Sequence, residues 1–377
     1  NGILGGYATF NGVDFATPAG GQYTAAIPLV AAPGGLTNYV LTTGTLSFAV
    51  SGQTLNSLKI VGTSGITTVG LNGILTITSG GILFDNTGGS AGTPFKALIS
   101  GGTQLGANNS EVIVTTNGTG DATSTLTISS LISSGTGSLT KAGTGTLVLS
   151  GASVYTGNTT INQGAVQLSG ATATLGVIST AGNVTTLRQG ATLDINAAGA
   201  GAALYTGGTT YPQVTIGALL GTGTITNSGS GTAARATISL GGTLTTGAAS
   251  TFGGLLQDGA GILNVVINGT SARVQGIVGD QPYTGATVIN TGVLAVTSLA
   301  DGGVASGIGA SSSSAGNLIF NAGTLVYTGA GAAVAGLNSA IYQTTQTPSV
   351  STDRLFSLAG NATILRGLTQ TIADKER

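Results

Sequence analysis

The sequence predicts an all-β chain wound as a β-solenoid, and three observations carry this. Short apolar segments alternate Leu or Ile with Thr or Ser, as in Leu75-Thr-Ile-Thr78 and Leu126-Thr-Ile128. That is the period of a strand with one face turned inward. Glycine punctuates these segments at 67 of 377 positions, while helix formers such as Glu, Lys, Arg and Gln are scarce. A long segment also recurs far along the chain, which a β-sandwich of regularly spaced hairpins would not require.

The elements follow in order. Residues 1–50 hold six of the 17 aromatics (Tyr7, Phe10, Phe15, Tyr23, Tyr39 and Phe48) and three of the seven prolines. This composition sets them apart as an N-terminal cap or docking segment. Residues 51–360 carry the solenoid texture, with segments such as Ile82-Leu-Phe84 and Val112-Ile-Val114; the related Thr45-Leu-Ser-Phe-Ala-Val50 lies just before them. At roughly 20 residues per coil the chain would make ~18 coils, with Gly and Asn at corners that need positive φ. Inward positions in the repeat fall to Leu147, Leu149, Ile161, Val166 and Leu168. Residues 361–377 form a charged tail; Leu365–Arg377 holds five of the 21 charges.

Internal repetition decides the architecture. Tyr155-Thr-Gly-Asn-Thr-Thr-Ile-Asn-Gln-Gly-Ala-Val-Gln-Leu168 recurs as Tyr283-Thr-Gly-Ala-Thr-Val-Ile-Asn-Thr-Gly-Val-Leu-Ala-Val296, offset by 128 residues. Upstream, Leu139-Thr-Lys-Ala-Gly-Thr-Gly-Thr-Leu147 has a weaker echo in Leu255–Leu263, offset by 116, which implies a 12-residue insertion within Asn264–Pro282.

Residues 139–168 closely resemble the autotransporter-associated β-strand repeat, also called the passenger-associated transport repeat. Shorter pieces, among them Gly5-Gly-Tyr-Ala-Thr-Phe10, Leu325-Val-Tyr-Thr-Gly329 and Thr352-Asp-Arg-Leu-Phe356, are similar in order to large secreted bacterial proteins carrying that repeat. The resemblance implies a right-handed parallel β-helix, exported from a bacterium and displayed or released outside. It implies no catalytic residue. The second copy departs from the first: Gln257-Asp258 stand where Lys141-Ala142 stand. No membrane β-barrel follows the repeats, and the chain opens on Asn1 without a basic and apolar leader, as a mature or excised product would.

Composition excludes several chemistries. There is no His, Cys, Met or Trp, so the usual zinc sites, thiol nucleophiles and Ser-His-Asp machinery cannot be assembled. A formal charge of -1 gives no footprint for nucleic acid. No apolar run reaches the ~18–20 residues of a membrane span. Gly-x-Gly is frequent but is never completed to a dinucleotide or phosphate loop, so no cofactor is expected. Asp258, Asp280 and Asp301 are spaced close to one coil apart and could stack as a calcium or glycoside site. As Asp301-Gly302 and Asp258-Gly259 suggest, each could equally cap a turn, the favoured reading. Asn162 and Asn290 occupy matched repeat positions and suggest an internal Asn ladder.

Three functions are compatible with these features. The first is a non-enzymatic extracellular structural protein, a building block of a fibre, sheath or surface layer. Its homo-oligomeric filaments would assemble head to tail through Tyr7, Phe10 and Phe15 at one end and Arg366 at the other. The second is an adhesin binding glycans or a cell-surface partner along its side, with Tyr155 and Tyr283 as exposed aromatic contacts. The third is a β-helical carbohydrate-active enzyme, which the scattered acids disfavour.

Overall fold

A computed structural model describes residues 9–10, 14–15, 38–42, 44–48, 51–62, 66–86, 95–102, 104–106, 111–117, 124–177, 183–198, 200–203, 210–230, 234–241, 250–270, 274–329 and 350–366. The chain divides into two units, Asn1–Val177 with Gly190–Leu193, and Ile178–Gln189 with Asp194–Arg377.

In the first unit two parallel sheets are laid down alternately along the chain. One stacks Asn38–Leu41, Gln53–Val61, Ile74–Asp85, Val112–Asn117, Leu139–Ala142 and Thr159–Ile161. The other stacks Thr45–Phe48, Ile66–Leu71, Lys96–Gly101, Thr125–Ile128, Thr146–Leu149 and Ala165–Leu168. Each strand pairs with one a whole coil away, which is the parallel β-helix. Alternation sets which side chains face in: Leu46, Val69, Ile99, Leu126, Leu147 and Val166 are all buried, as are Leu149, Ile161 and Leu168. Leu147, Leu149, Ile161, Val166 and Leu168 are the inward set that the sequence predicts.

The second unit repeats the plan of stacked parallel sheets. One sheet runs from Val184–Leu187 through Ala218–Gly221, Ser250–Phe252, Val274–Ile277, Val293–Val296 and Thr324–Tyr327 to Thr363–Arg366. Another runs from Thr210–Ile216 through Arg235–Leu240, Ile262–Asn268, Thr287–Thr291 and Leu318–Phe320 to Ser357–Leu358. A short third side pairs Thr224–Thr226 with Leu255–Leu256.

Three expectations change. Among the described residues six strands stack in sequence in the longest sheet of the first unit and seven in that of the second, so the described coils are fewer than ~18. Loops lengthen them: Leu139 pairs with Thr159, but Val112 pairs with Leu139 and Thr324 with Thr363. Parallel pairing also begins before residue 50, because Asn38–Leu41 and Thr45–Phe48 already belong to the stacks. Finally, the echo Leu255–Leu263 is one of sequence and not of place. Val265, Val266 and Ile267 pair with Thr287, Val288 and Ile289 as Leu139, Thr140 and Lys141 pair with Thr159, Thr160 and Ile161. Register therefore puts Ile267 where Lys141 sits in the first copy.

Candidate functional site

The two repeat copies build the same module. Tyr155 and Tyr283 are fully buried, and each phenol shares a hydrogen bond with the threonine four residues on, Thr159 at 2.8 Å and Thr287 at 2.7 Å. The carbonyl of each tyrosine accepts a hydrogen bond from the following coil, from the Val177 and Ala310 amides at 2.9 and 2.7 Å. Beside each carbonyl lies a glycine with positive φ, Gly176 at 69° and Gly309 at 82°. A Cβ at Gly176 would meet the Tyr155 carbonyl oxygen at 2.4 Å, and one at Gly309 would meet the Tyr283 ring at 2.6 Å. Only glycine gives both the conformation and the space. Burial raises both phenol pKa values far above the usual range, outweighing the threonine hydrogen bonds. Tyr155 and Tyr283 are thus core pins, which corrects their reading as exposed contacts. A phenol with a hydrogen-bonding Thr beside it can be taken out of water, and sequence position alone does not separate that case from an exposed ring.

Lys141 occupies the same inward side of its strand as Leu139 and is fully buried. Its ammonium donates to the carbonyls of Ala142 and Gly143, each at 2.7 Å, and of Gln163 at 3.2 Å. Burial lowers its pKa to about 7. The alternation Leu139-x-Lys141 was the available signal for this burial. Arg354, in the Thr352–Phe356 segment, is buried as well. It donates from Nη1 to the Ile308 carbonyl and Ser311 Oγ, and from Nη2 to the Gly309 carbonyl at 2.8 Å. Nothing local in the sequence marks it.

The acids form no site among the described residues. Asp258 caps its own turn, accepting from the Leu263 amide at 2.8 Å and from the Thr284 amide and hydroxyl. Asp301 accepts from the Asp353 amide, Asp353 accepts from the Gly302 amide, and Asp280 is exposed. No group of three His, Cys, Asp or Glu converges on a point among the described residues. The predicted Asn ladder exists in one copy only. Asn290 donates to Asn268 at 2.9 Å and accepts from Asn321 at 2.8 Å, whereas Asn162 is exposed. Of the proposed assembly residues, Tyr7 lies outside the described residues. The strands holding Phe10 and Phe15 pair antiparallel, and Arg366 pairs with Tyr327.

One face of the first unit stays open. On the sheet from Thr45–Phe48 to Ala165–Leu168 the outward positions align in columns: Thr45, Thr68, Leu98, Thr127, Val148 and Gln167 in one, and Ile66, Lys96, Thr125, Thr146 and Ala165 beside it. All are exposed or half-buried, and neither column contains an acid. In the second unit, Val274–Ile277 and Val293–Val296 are buried on both faces. Val274, Val293, Ala295 and Val326 form a separate apolar cluster there.

A passenger-associated transport repeat model matches residues 139–168 and 255–296, the two segments that hold these modules. The chain carries passenger-associated transport repeats. It is also 36% identical over 259 residues to the adhesin BmaC autotransporter of Brucella suis biovar 1 (strain 1330), a match covering 65% of this chain and 7% of that protein. The chain therefore spans less than a tenth of that relative's length. No solved structure matches it. Repeat and relative together place the chain among exported, cell-surface bacterial proteins.

Proposed function

We propose that this chain is part of a non-enzymatic adhesin passenger, a β-helical scaffold that meets a glycan or a partner surface along its side. The likeness to an autotransporter adhesin over 65% of the chain carries this reading. The open face of the first unit supports such a contact, since its columns offer hydroxyls, an amide and one lysine at the strand spacing of ~4.8 Å. No charged cluster on it demands a charged ligand. Assembly of a fibre or sheath draws no support from the repeat or from the relative, and surface binding is the better account. The absence of His and Cys and the turn-capping roles of Asp258 and Asp301 support a non-enzymatic role.

Beads coated with the purified chain provide the test, scored on immobilised glycans and on cultured cells. The wild-type chain should retain beads, and the pair Thr68→Asp and Thr127→Asp should lower retention at least ~tenfold with unchanged circular dichroism and melting temperature. Such outward substitutions leave stability within about 0.5 kcal/mol. If the wild-type chain binds no surface, the adhesin reading fails. If the variant binds undiminished, the face is wrong.

A further inference from the structure

The buried amine of Lys141 has no role in surface binding; among the described residues it has no carboxylate beside it and is the only inward-facing cation in its column. Register places Leu58, Ile82, Val114, Lys141 and Ile161 one above another on the inward side of the first unit. An aliphatic neighbour therefore lies on either side of the lysine. Its hydrogen bonds go to three main-chain carbonyls, two from its own turn and one, Gln163, from the turn of the next coil. Register puts Ile267 at the matching place in the second copy, so this position does not need a polar group to fold.

We propose that Lys141 is a protonation-sensitive catch within the coil of residues 139–168, which holds most tightly when the amine is neutral and loosens when it takes up a proton. The neutral amine packs its four methylenes into the column and still donates two hydrogens to the carbonyls. The ammonium donates a third, but puts an unpaired charge into an apolar core, where the desolvation cost outweighs one added hydrogen bond.

The groups around it do not supply the missing charge. Glu111 is exposed and accepts from the outward hydroxyl of Thr140. Asp85 is paired with Lys59 at 3.4 Å, and Lys96 is exposed on the other sheet. The Tyr155 phenol is held by Thr159. Burial lowers the Lys141 pKa from 10.5 to about 7. A group whose folded pKa is depressed binds fewer protons folded than unfolded between those two values. Stability therefore rises with pH from about 7 to about 10.5 and is flat below.

The test follows the whole chain, with ¹³C-labelled lysine, by NMR titration of the four lysine Cε signals. One signal, assigned by its loss in Lys141→Met, should titrate near pH 7. Urea unfolding should show a midpoint that rises between pH 7 and 10 in the wild-type chain and stays level in Lys141→Met. Lys141→Ile, which copies the second module, serves if the methionine variant misfolds. A Lys141 signal that titrates above pH 9, or a pH slope kept in the variants, would overturn the proposal.

Discussion

The coil built on Tyr155 and the coil built on Tyr283 start from closely matching sequences and agree in some places but not in others. Both bury a tyrosine against a threonine, and both place a glycine beside the next coil's approach. They part at the strand before it, where one carries Lys141 inward and the other Ile267, and at the strand after it, where Asn162 is exposed and Asn290 sits in a ladder. The shared features are those that fix how one coil seats on the next. Charge and polar side chains vary around them. The repeat is thus a seating device, and the module tolerates different chemistry in its neighbours as long as the pin and its space are kept.

The comparison is most severely tested by removing the pins. Tyr155→Ala and Tyr283→Ala should each lower stability by about 3–5 kcal/mol, as expected for truncating a large buried aromatic. Unfolding by urea, followed by hydrogen exchange in each coil, measures both. Equal losses support equivalent modules. If Tyr155→Ala costs less than about 1 kcal/mol while Tyr283→Ala costs several, the shared geometry does not reflect a shared role.

A smaller effect separates packing from the hydroxyl. Both phenols have pKa values raised by burial, so each stays protonated in the folded chain well above the pH at which an unfolded tyrosine ionises, near 10. A raised folded pKa gives stability that is complete below about pH 10 and is lost as pH climbs toward the folded value. The wild-type chain should therefore weaken above pH 10. In the double variant Tyr155→Phe and Tyr283→Phe that alkaline loss should shrink, with about 1 kcal/mol lost per hydroxyl at neutral pH. A pH scan of the urea midpoint reads both, and an unchanged alkaline limb would mean that other groups drive it.

The legible part of this architecture was its alternation. Leu147, Leu149, Ile161, Val166 and Leu168 face inward because period two leaves them no other choice once their Thr neighbours face out. Coil length was not legible, since loops between strands carry no period, and Val184 reaches Ala218 as readily as Leu139 reaches Thr159. The equivalence of the strands before the tyrosines is hidden for the same reason: Leu255–Leu263 matches in residue type, but hydrogen-bond register assigns the place to Val265–Ile267. The burial of Tyr155 and Tyr283 is not legible in the sequence, because it depends on a partner hydroxyl four residues on, and threonine is too abundant here for Thr159 or Thr287 to stand out. Arg354 lay beyond reach, because its carbonyl partners at Ile308 and Gly309 are more than forty residues away.

The finest difference between the copies is the asparagine after the inward isoleucine, and it gives the smallest effect. Asn290 donates to Asn268 and accepts from Asn321, so its amide links three successive coils. Asn290→Ala removes both bonds and leaves the Asn321 amide without its acceptor, while Asn268 still receives the Thr291 hydroxyl at 3.4 Å. A partly buried bond of this kind contributes about 1 kcal/mol, and the ladder loses two. Asn162, at the matched position of the first copy, is exposed, and its main-chain amide is already satisfied by the Lys141 carbonyl at 2.9 Å. Asn162→Ala should therefore stay within about 0.5 kcal/mol of wild type. Urea midpoints of the two single variants decide the matter, with hydrogen exchange at the Asn321 amide as the local reading. Equal losses at both positions would show that the side chain acts through the turn itself, and that the ladder is a consequence of stacking with no stabilising share of its own.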